Sequence, residues 1–151
     1  MEFLILFLPL LASIISGFFG KYIGDRKSEI ITSCFVSISA ILSLIIFYDV
    51  IMSQYEANIV IASWINSGTL NVNWSIKIDT LTSIMLVVVT LVSSLVHIYS
   101  IGYMSHDPHK PRFMAYLSLF TFAMLTLVTA DNFLQLFFGW EGVGLCSYFL
   151  I

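Results

Sequence analysis

The sequence has 151 residues, of which 59% are hydrophobic and only 10% are charged. A soluble domain carries about 25% charged residues. So few charges cannot cover a water-facing surface, whereas a lipid-facing surface needs none. The net charge of -3 and the scattered basic residues exclude a stripe that could follow phosphates. The composition therefore predicts a membrane protein that lies in the lipid bilayer and binds no nucleic acid.

Five apolar segments reach the length of about 20 residues that a transmembrane helix needs. They cover residues 3–23, 30–52, 80–104, 113–130 and 132–151. The apolar run at the start of the first segment, residues 3–19, is preceded by Glu2 and followed by Lys21, Arg26 and Lys27. This is the reverse of the charge order of a cleavable signal peptide. We expect a retained first helix whose N-terminus lies outside.

Between the second and third segments, residues 70–79 alternate strictly between apolar and polar side chains. Period two is typical of a strand with one buried face. Residues 59–65 are also rich in Ile, Val and Trp, and Asn-Ser-Gly-Thr at 66–69 favours a turn. The predicted fold class is thus an all-α polytopic membrane protein. It has about five transmembrane helices and one external β-hairpin, lying on the membrane surface, between the second and third.

The distribution of basic residues predicts the orientation, because Lys and Arg accumulate in cytoplasmic loops. The first and third loops hold five of them: Lys21, Arg26, Lys27, Lys110 and Arg112. The second loop holds only Lys77, and the fourth holds none. Odd loops are therefore expected inside and the hairpin outside. The fifth helix then runs from outside to inside, with Asp131 capping its first turn.

Glu141 is the residue that most needs an explanation. It follows Asp131 by ten residues, or about 15 Å of helix, near the middle of an apolar core about 30 Å thick. A central carboxylate costs about 2.5 to 3.5 kcal/mol on insertion scales, so we expect it to face the protein interior. Such a group can load and unload a proton, which makes Glu141 the candidate catalytic residue. The alternative is that it pins two helices together through a hydrogen bond or buried ion pair.

The neighbours of Glu141 on the helix divide into two groups. Gly144 and Tyr148 lie within about 60° of it at 100° per residue. Tyr148 is a candidate to extend a hydrogen-bonded chain from the carboxylate, and equally an interfacial aromatic. The glycines at 139, 142 and 144 let backbones approach closely, so we predict helix packing at Gly139, Gly142 and Gly144.

A polar stripe in the third segment points inward, since polar side chains in lipid face protein. Its members are Thr90, Ser93, Ser94, His97 and Ser100. His97, its titratable member, lies nearer the cytoplasmic end, so a structural role is favoured over a proton path. His106 and His109 lie in a loop broken by prolines, and we predict no metal site there.

Residues 130–148 read Ala-Asp-Asn-Phe-Leu-Gln-Leu-Phe-Phe-Gly-Trp-Glu-Gly-Val-Gly-Leu-Cys-Ser-Tyr. This string resembles the fifth-helix signature of respiratory complex I subunit L, called chain 5 in mitochondria. Further similar motifs follow the same order at 70–74, 78–82, 97–104 and 112–116. The resemblance covers essentially the whole chain and is least specific before residue 64. It implies a proton channel of the antiporter-like family. There, the glutamate matching Glu141 couples to lysines on later helices and to neighbouring subunits.

The resemblance also implies where the chemistry occurs. NADH is oxidised and quinone reduced elsewhere in the complex, so the chain is expected to hold no NAD, flavin or iron-sulfur cluster. It is an enzyme only as a subunit of the quinone reductase. Its partners are the bilayer and other complex I membrane subunits, especially neighbouring antiporter-like ones. The membrane is the bacterial inner membrane or, alternatively, the mitochondrial one. The chain is expected to divide into three parts. Residues 1–56 hold the first two transmembrane helices, residues 57–112 hold the chain 5 N-terminal region, and the proton-conducting transporter domain begins in residues 113–151.

The family runs to well over a dozen helices, so the resemblance leaves the later lysines outside residues 1–151. We expect an N-terminal fragment, half of a split gene or a truncated reading frame, with the missing helices supplied by a second chain in the split case. The rival functions are a subunit of a multisubunit sodium/proton antiporter, against which Gly-Trp-Glu-Gly-Val-Gly argues, and a non-pumping scaffold or relic.

Overall fold

A computed structural model describes all residues, 1–151, as five helices and one two-stranded antiparallel sheet. The elements in chain order are α1 (Glu2–Ile23), α2 (Asp25–Ser53), β1 (Ala57–Ser67), β2 (Leu70–Ile78), α3 (Thr80–Tyr103), α4 (Lys110–Val128) and α5 (Phe133–Leu150). All five helices are long and apolar enough to cross a membrane. The predicted fold class is therefore confirmed. The second helix begins at Asp25 instead of residue 30, because the polar residues 25–29 form its first turns.

Helix α4 is the centre of the bundle and contacts all four other helices. An apolar cluster closes one end of the bundle, where α1 begins, α2 and α4 end and β2 leads into α3. Its members are Ile5, Leu6, Ile46, Val50, Ile76, Ile78, Leu86 and Leu125. The hydrophobic core thus joins the base of the hairpin to four helices.

Hydroxyl groups join the helices elsewhere. The Ser39 hydroxyl on α2 donates to the Ile5 carbonyl on α1 at 2.7 Å, and the Ser43 and Thr90 hydroxyls meet at 2.7 Å between α2 and α3. Lipid gives helices no hydrophobic reason to associate with one another, so small and polar residues at the contacts supply the attraction. The buried serines and threonines are therefore part of the packing.

The two ends of the bundle differ in charge. We call residues 20–29 and 104–113 the basic end, because they carry five of the six Lys and Arg residues. Lys110 and the buried Glu29 pair there, with Nζ and Oε1 3.9 Å apart. We call residues 53–80 and 128–133 the hairpin end. Asp79 caps α3 at that end by accepting from the Thr82 backbone N–H at 2.8 Å, a hydrogen bond that lowers the pKa of Asp79.

The hairpin follows the predicted alternation with two departures. Val72, Ile76 and Ile78 are buried as expected, but Leu70 is 52% exposed because it adjoins the turn at Gly68, whose φ is 60°. Ser75, on the face expected to be polar and open, is 1% exposed. Another part of the chain must therefore cover the edge of β2 at Ser75.

The cover consists of the turn between α4 and α5 and the first residues of α5, which supply hydrogen-bond partners to the open backbone edge of β2. The Lys77 N–H donates to the Thr129 carbonyl at 3.0 Å. The Gln135 amide accepts from the Ser75 N–H at 3.1 Å and donates to the Ser75 carbonyl at 2.7 Å. The Asn132 amide donates to the Asn73 carbonyl at 2.8 Å. These contacts, which we call the edge clamp, join every second residue of β2 from 73 to 77, as a third strand would.

An aromatic cluster reinforces the edge clamp. Trp64 and Trp74 from the two strands meet Phe138 of α5 edge to face, with ring centroids 4.9 to 6.1 Å apart. Such aromatic pairs contribute about 0.5 to 1.5 kcal/mol each beyond the area they bury. The hairpin is therefore fixed to the first two turns of α5.

Small residues bring α5 close to α4. A Cβ atom added at Gly139 would lie 2.7 Å from the Leu127 Cα, and one added at Gly142 would lie 3.2 Å from the Ala123 Cβ. At Gly144 an added Cβ would meet nothing within 4 Å. Within residues 1–151, Gly139 and Gly142 therefore lie against α4 and Gly144 does not. The reason is that Gly144 lies on the side of α5 that faces away from α4. The helix-packing role of the three glycines stays a prediction.

Gly139→Ala and Gly144→Ala form a matched pair that tests this packing. Alanine favours a helix over glycine by about 0.5 to 1 kcal/mol at either position. At Gly139 the added methyl must also displace the Leu127 backbone, an overpacking cost of about 1 to 3 kcal/mol. We expect Gly139→Ala to lower the thermal midpoint of residues 1–151 in detergent, where nothing covers the Gly144 side of α5, and Gly144→Ala to leave it equal or higher. Equal midpoints would contradict the close contact.

Gln135→Leu tests the edge clamp. Leucine preserves the volume but leaves the Ser75 N–H and carbonyl without partners, at about 1 to 3 kcal/mol for each group. We expect hydrogen exchange at the Ser75 amide to accelerate by about tenfold or more, with α3 amides unchanged. The control is Asn73→Leu, which changes an exposed side chain of the same strand but keeps the carbonyl that Asn132 binds. If hydrogen exchange at the Ser75 amide accelerated equally in both variants, Gln135 would have no specific role in the edge clamp.

Candidate functional site

The site is built on α5, whose first turn is capped by Asn132. The Asn132 side chain accepts from the Gln135 N–H at 2.8 Å from extended backbone. The expectation that Asp131 caps this helix is therefore wrong. Asp131 instead accepts from the Asn58 side-chain amide of β1 at 3.0 Å. Because its carboxylate is bound to the hairpin, the next residue, Asn132, caps the helix.

Glu141 lies on the side of α5 that faces away from α4. It follows Phe133, the first residue of α5, by eight residues, or about 12 Å along the helix axis. Its side chain is exposed, and within residues 1–151 it makes no hydrogen bond and no ion pair. Glu141 and Gly139, which packs on α4, are separated by about 200° around the helix. The carboxylate thus points to the open side of the chain.

Two other candidate residues share this open side. Tyr148 is 75% exposed and its ring touches that of Phe149, and a Cβ added at Gly144 would meet nothing within 4 Å. We call Glu141, Gly144 and Tyr148 the open face of α5. No hydrogen bond joins Glu141 to Tyr148. The structure places the three residues on one face but does not connect them.

No cation of this chain reaches Glu141. The nitrogen groups within 4.0 Å of a carboxylate are the N-terminus beside Glu2, the His109 ring beside Asp107 and Lys110 beside Glu29. The Lys and Arg side chains lie at the two ends of the bundle, as their positions in the sequence indicate. Any counter-charge for Glu141 has to come from outside residues 1–151.

His97 occupies a different place, buried between α3 and α4. Its Nδ1 lies 2.7 Å from the Ser93 carbonyl, to which it donates, and its Nε2 lies 3.1 Å from the Ser118 hydroxyl. The Ser93 hydroxyl in turn meets the Thr121 hydroxyl. A single tautomer satisfies both ring nitrogens. The inward position of the polar stripe is observed for Thr90, Ser94, His97 and Ser100, all of which are buried.

Two residues with clear roles are not evident from sequence patterns. Glu29 is 4% exposed and, at the predicted boundary of α2, looks like a solvated loop charge. Gln135 lies on the packed face of α5, where a small-residue stripe suggests helix contact and gives no sign of a bond to a strand. The one available signal is polarity: an amide flanked by apolar residues within a membrane segment needs a partner.

The chain is similar to known respiratory subunits over its whole length. Residues 64–114 match the family described as NADH-Ubiquinone oxidoreductase (complex I), chain 5 N-terminus. Across all 151 residues the chain is 59% identical to NADH-ubiquinone oxidoreductase chain 5 of Arabidopsis thaliana, of which it covers 23%. Across 148 residues, or 98% of the chain, it is 56% identical to NADH-quinone oxidoreductase subunit L of Rickettsia conorii, of which it covers 22%.

A third relative, NADH-ubiquinone oxidoreductase chain 5 of Phytophthora infestans, is 58% identical across 147 residues, which are 97% of the chain and 22% of that protein. The chain thus spans less than a quarter of the length of these relatives. Its 151 residues correspond to the N-terminal part of the chain 5 and subunit L family of complex I.

Proposed function

We propose that this chain forms part of the membrane arm of a proton-translocating NADH:quinone oxidoreductase, in which Glu141 takes up and releases the proton. The observation that carries the proposal is a carboxylate well inside an apolar helix with no partner in its own chain. A group held only for structure is paired where it is buried. An unpaired one at this depth fits a group whose charge changes during turnover.

The open face of α5 would be covered in the working protein. A carboxylate turned to lipid costs about 2.5 to 3.5 kcal/mol on insertion scales, so this face belongs against protein or water. We propose that later transporter helices or a neighbouring antiporter-like subunit cover it and bring a cation to Glu141. Tyr148 would extend the hydrogen-bonded path along the same face.

The distribution of charge supports one orientation. Five of the six Lys and Arg residues lie at the basic end, and the positive-inside rule places that end in the cytoplasm or mitochondrial matrix. The N-terminus and the hairpin then lie on the opposite side of the bacterial or mitochondrial inner membrane. Glu141, reached from the hairpin end through about 12 Å of helix, lies between the two aqueous phases.

The redox reaction is assigned to other subunits. In this proposal NADH, flavin, iron-sulfur clusters and quinone bind elsewhere in the complex, and this chain holds no redox group. Its contribution is to hold a titratable group where a change in the neighbouring subunits alters its charge. The helix carrying that group is fixed by the edge clamp and by Gly139, so Glu141 keeps its depth while its surroundings change.

For His97 we propose a structural role. Both of its ring nitrogens are bound within the α3–α4 contact, and no hydrogen bond leads from it to α5. A histidine that joins two helices in this way stabilises their packing and does not need to change its charge.

Glu141→Gln in the full-length subunit tests the proton-transfer role. Glutamine keeps the size and polarity but cannot lose a proton, so we expect assembly to persist and most NADH-driven proton pumping to be lost. Pumping is measured in membrane vesicles by quenching of a pH-sensitive dye, alongside the amount of assembled complex. The control is Glu56→Gln, which neutralises an exposed carboxylate in the loop before β1. Near-normal pumping by Glu141→Gln would refute the proposal.

His97→Leu tests whether His97 stabilises the helix packing or takes part in proton transfer. The variant leaves the Ser118 hydroxyl without its ring partner, and we expect a stability loss of about 1 to 3 kcal/mol, seen as a lower thermal midpoint and less assembled complex. Pumping per assembled complex should stay unchanged. A loss of pumping as large as that of Glu141→Gln, at equal assembly, would give His97 a place in the proton path.

A further inference from the structure

A cavity of about 790 Å³ lies between α1 and α4 at the basic end. Its floor is made of small residues. Gly17 faces Ala115 there, and a Cβ added at Gly17 would lie 3.6 Å from the Ala115 Cβ. Gly20 approaches Pro111 so closely that an added Cβ would lie 2.6 Å from the Pro111 Cβ. The two helices therefore meet along a shallow groove with larger side chains on both sides.

The groove has an apolar part and a charged part. Leu10, Ile14 and Phe18 follow one another at four-residue intervals along α1, and Ile14 and Phe18 are 40% and 77% exposed. Four-residue spacing places them on one face of the helix. Lys21 and Arg112 line the end of the cavity near the aqueous surface. The polarity therefore changes along the groove as it does along a phospholipid.

Neither cation is neutralised by a neighbour. The groups that lie within 4.0 Å of a carboxylate are the N-terminus, the His109 ring and Lys110, and no carboxylate lies within 4.0 Å of Lys21 or Arg112. Asp25 also lines the cavity, so the charged end carries two positive charges and one negative charge, with His109 beside them. Two unpaired cations, one of them a guanidinium with its fork of N–H donors, favour a phosphate over an uncharged, apolar partner.

The length of the groove fits one lipid leaflet. From Leu10 to Lys21 the helix rises about 16 Å at 1.5 Å per residue, and half of an apolar core about 30 Å thick is about 15 Å. A head group held at Lys21 would thus place its acyl chain along Phe18, Ile14 and Leu10. Basic pockets between transmembrane helices bind anionic lipid head groups by this combination of charge and apolar surface.

We propose that the groove between α1 and α4 binds one anionic phospholipid, whose phosphate lies between Lys21 and Arg112 and whose acyl chain lies along Leu10, Ile14 and Phe18. The lipid joins the first helix to the central helix of the bundle at the basic end. This site is separate from Glu141 and does not depend on the role of that residue in proton transfer.

The test uses the complex with the full-length subunit, reconstituted into nanodiscs of phosphatidylcholine and a photoactivatable phosphatidylglycerol. Crosslinked peptides are identified by mass spectrometry. We expect crosslinks in residues 10–21 and 112–119 with the anionic probe and few with a matching phosphatidylcholine probe. Each cation near a membrane surface changes the retention of an anionic lipid about fivefold, so Lys21→Gln/Arg112→Gln should lower the yield about twenty-five-fold.

Matched variants make the result specific. Lys27→Gln removes a cation from the same end that does not line the cavity and should leave the yield unchanged, whereas Asp25→Asn should raise it about fivefold. The single variants Lys21→Gln and Arg112→Gln serve if the double variant fails to assemble, each with a fivefold loss. Equal yields from both probes, or yields insensitive to these substitutions, would overturn the proposal. Glu141→Gln should leave the lipid crosslink unchanged.

Discussion

The hydrocarbon core of a membrane offers no hydrogen bonds, and most of this structure follows from that constraint. Hydroxyls in the helices donate to the carbonyl one turn earlier, so their polarity is satisfied within the helix that carries them. These are Thr32, Thr90, Ser100, Thr121, Thr126 and Thr129. Where two hydroxyls meet across a contact, as Ser43 and Thr90 do, one gives its hydrogen to the other, which keeps its own for a carbonyl of its helix, so the pair joins two helices. The backbone N–H and carbonyl groups at the free edge of β2 likewise find hydrogen-bond partners, which are supplied by the α4–α5 turn and the start of α5.

Two contacts of α5 with other elements fix the position of Glu141. Gln135 is bound to Ser75 near the start of α5, and Gly139 lies against the Leu127 backbone one turn later. A helix held at both points has a fixed depth and a fixed rotation. Since Glu141 lies about 200° around the helix from Gly139, the close packing that holds α5 also directs the carboxylate away from α4. The hairpin therefore contributes to the site without touching it.

The sequence predicts the parts of this arrangement that depend on local patterns. Five apolar segments, one alternating segment and one inward polar stripe are patterns of composition along a single element, and each is present in the structure. The repeating pattern of apolar and polar residues in one element does not show which other element packs against it. Asp131 and Asn132 are equally suitable caps, and only the docked hairpin, through Asn58, decides between them. In the same way, glycine spacing cannot separate Gly139, which packs, from Gly144, which is open.

The open face of α5 constrains whatever covers it. A purely apolar helix placed there would leave the Glu141 carboxylate buried without a partner, and removing one partner of a buried pair costs about 3 to 5 kcal/mol. The covering surface must therefore bring a donor or a cation, or keep water beside the carboxylate. A donor that moves away during turnover would make the charged form unfavourable, and one that returns would restore it. Because α5 is held rigidly on its other side, such a change would act on the proton of Glu141 and would not be absorbed by movement of the helix.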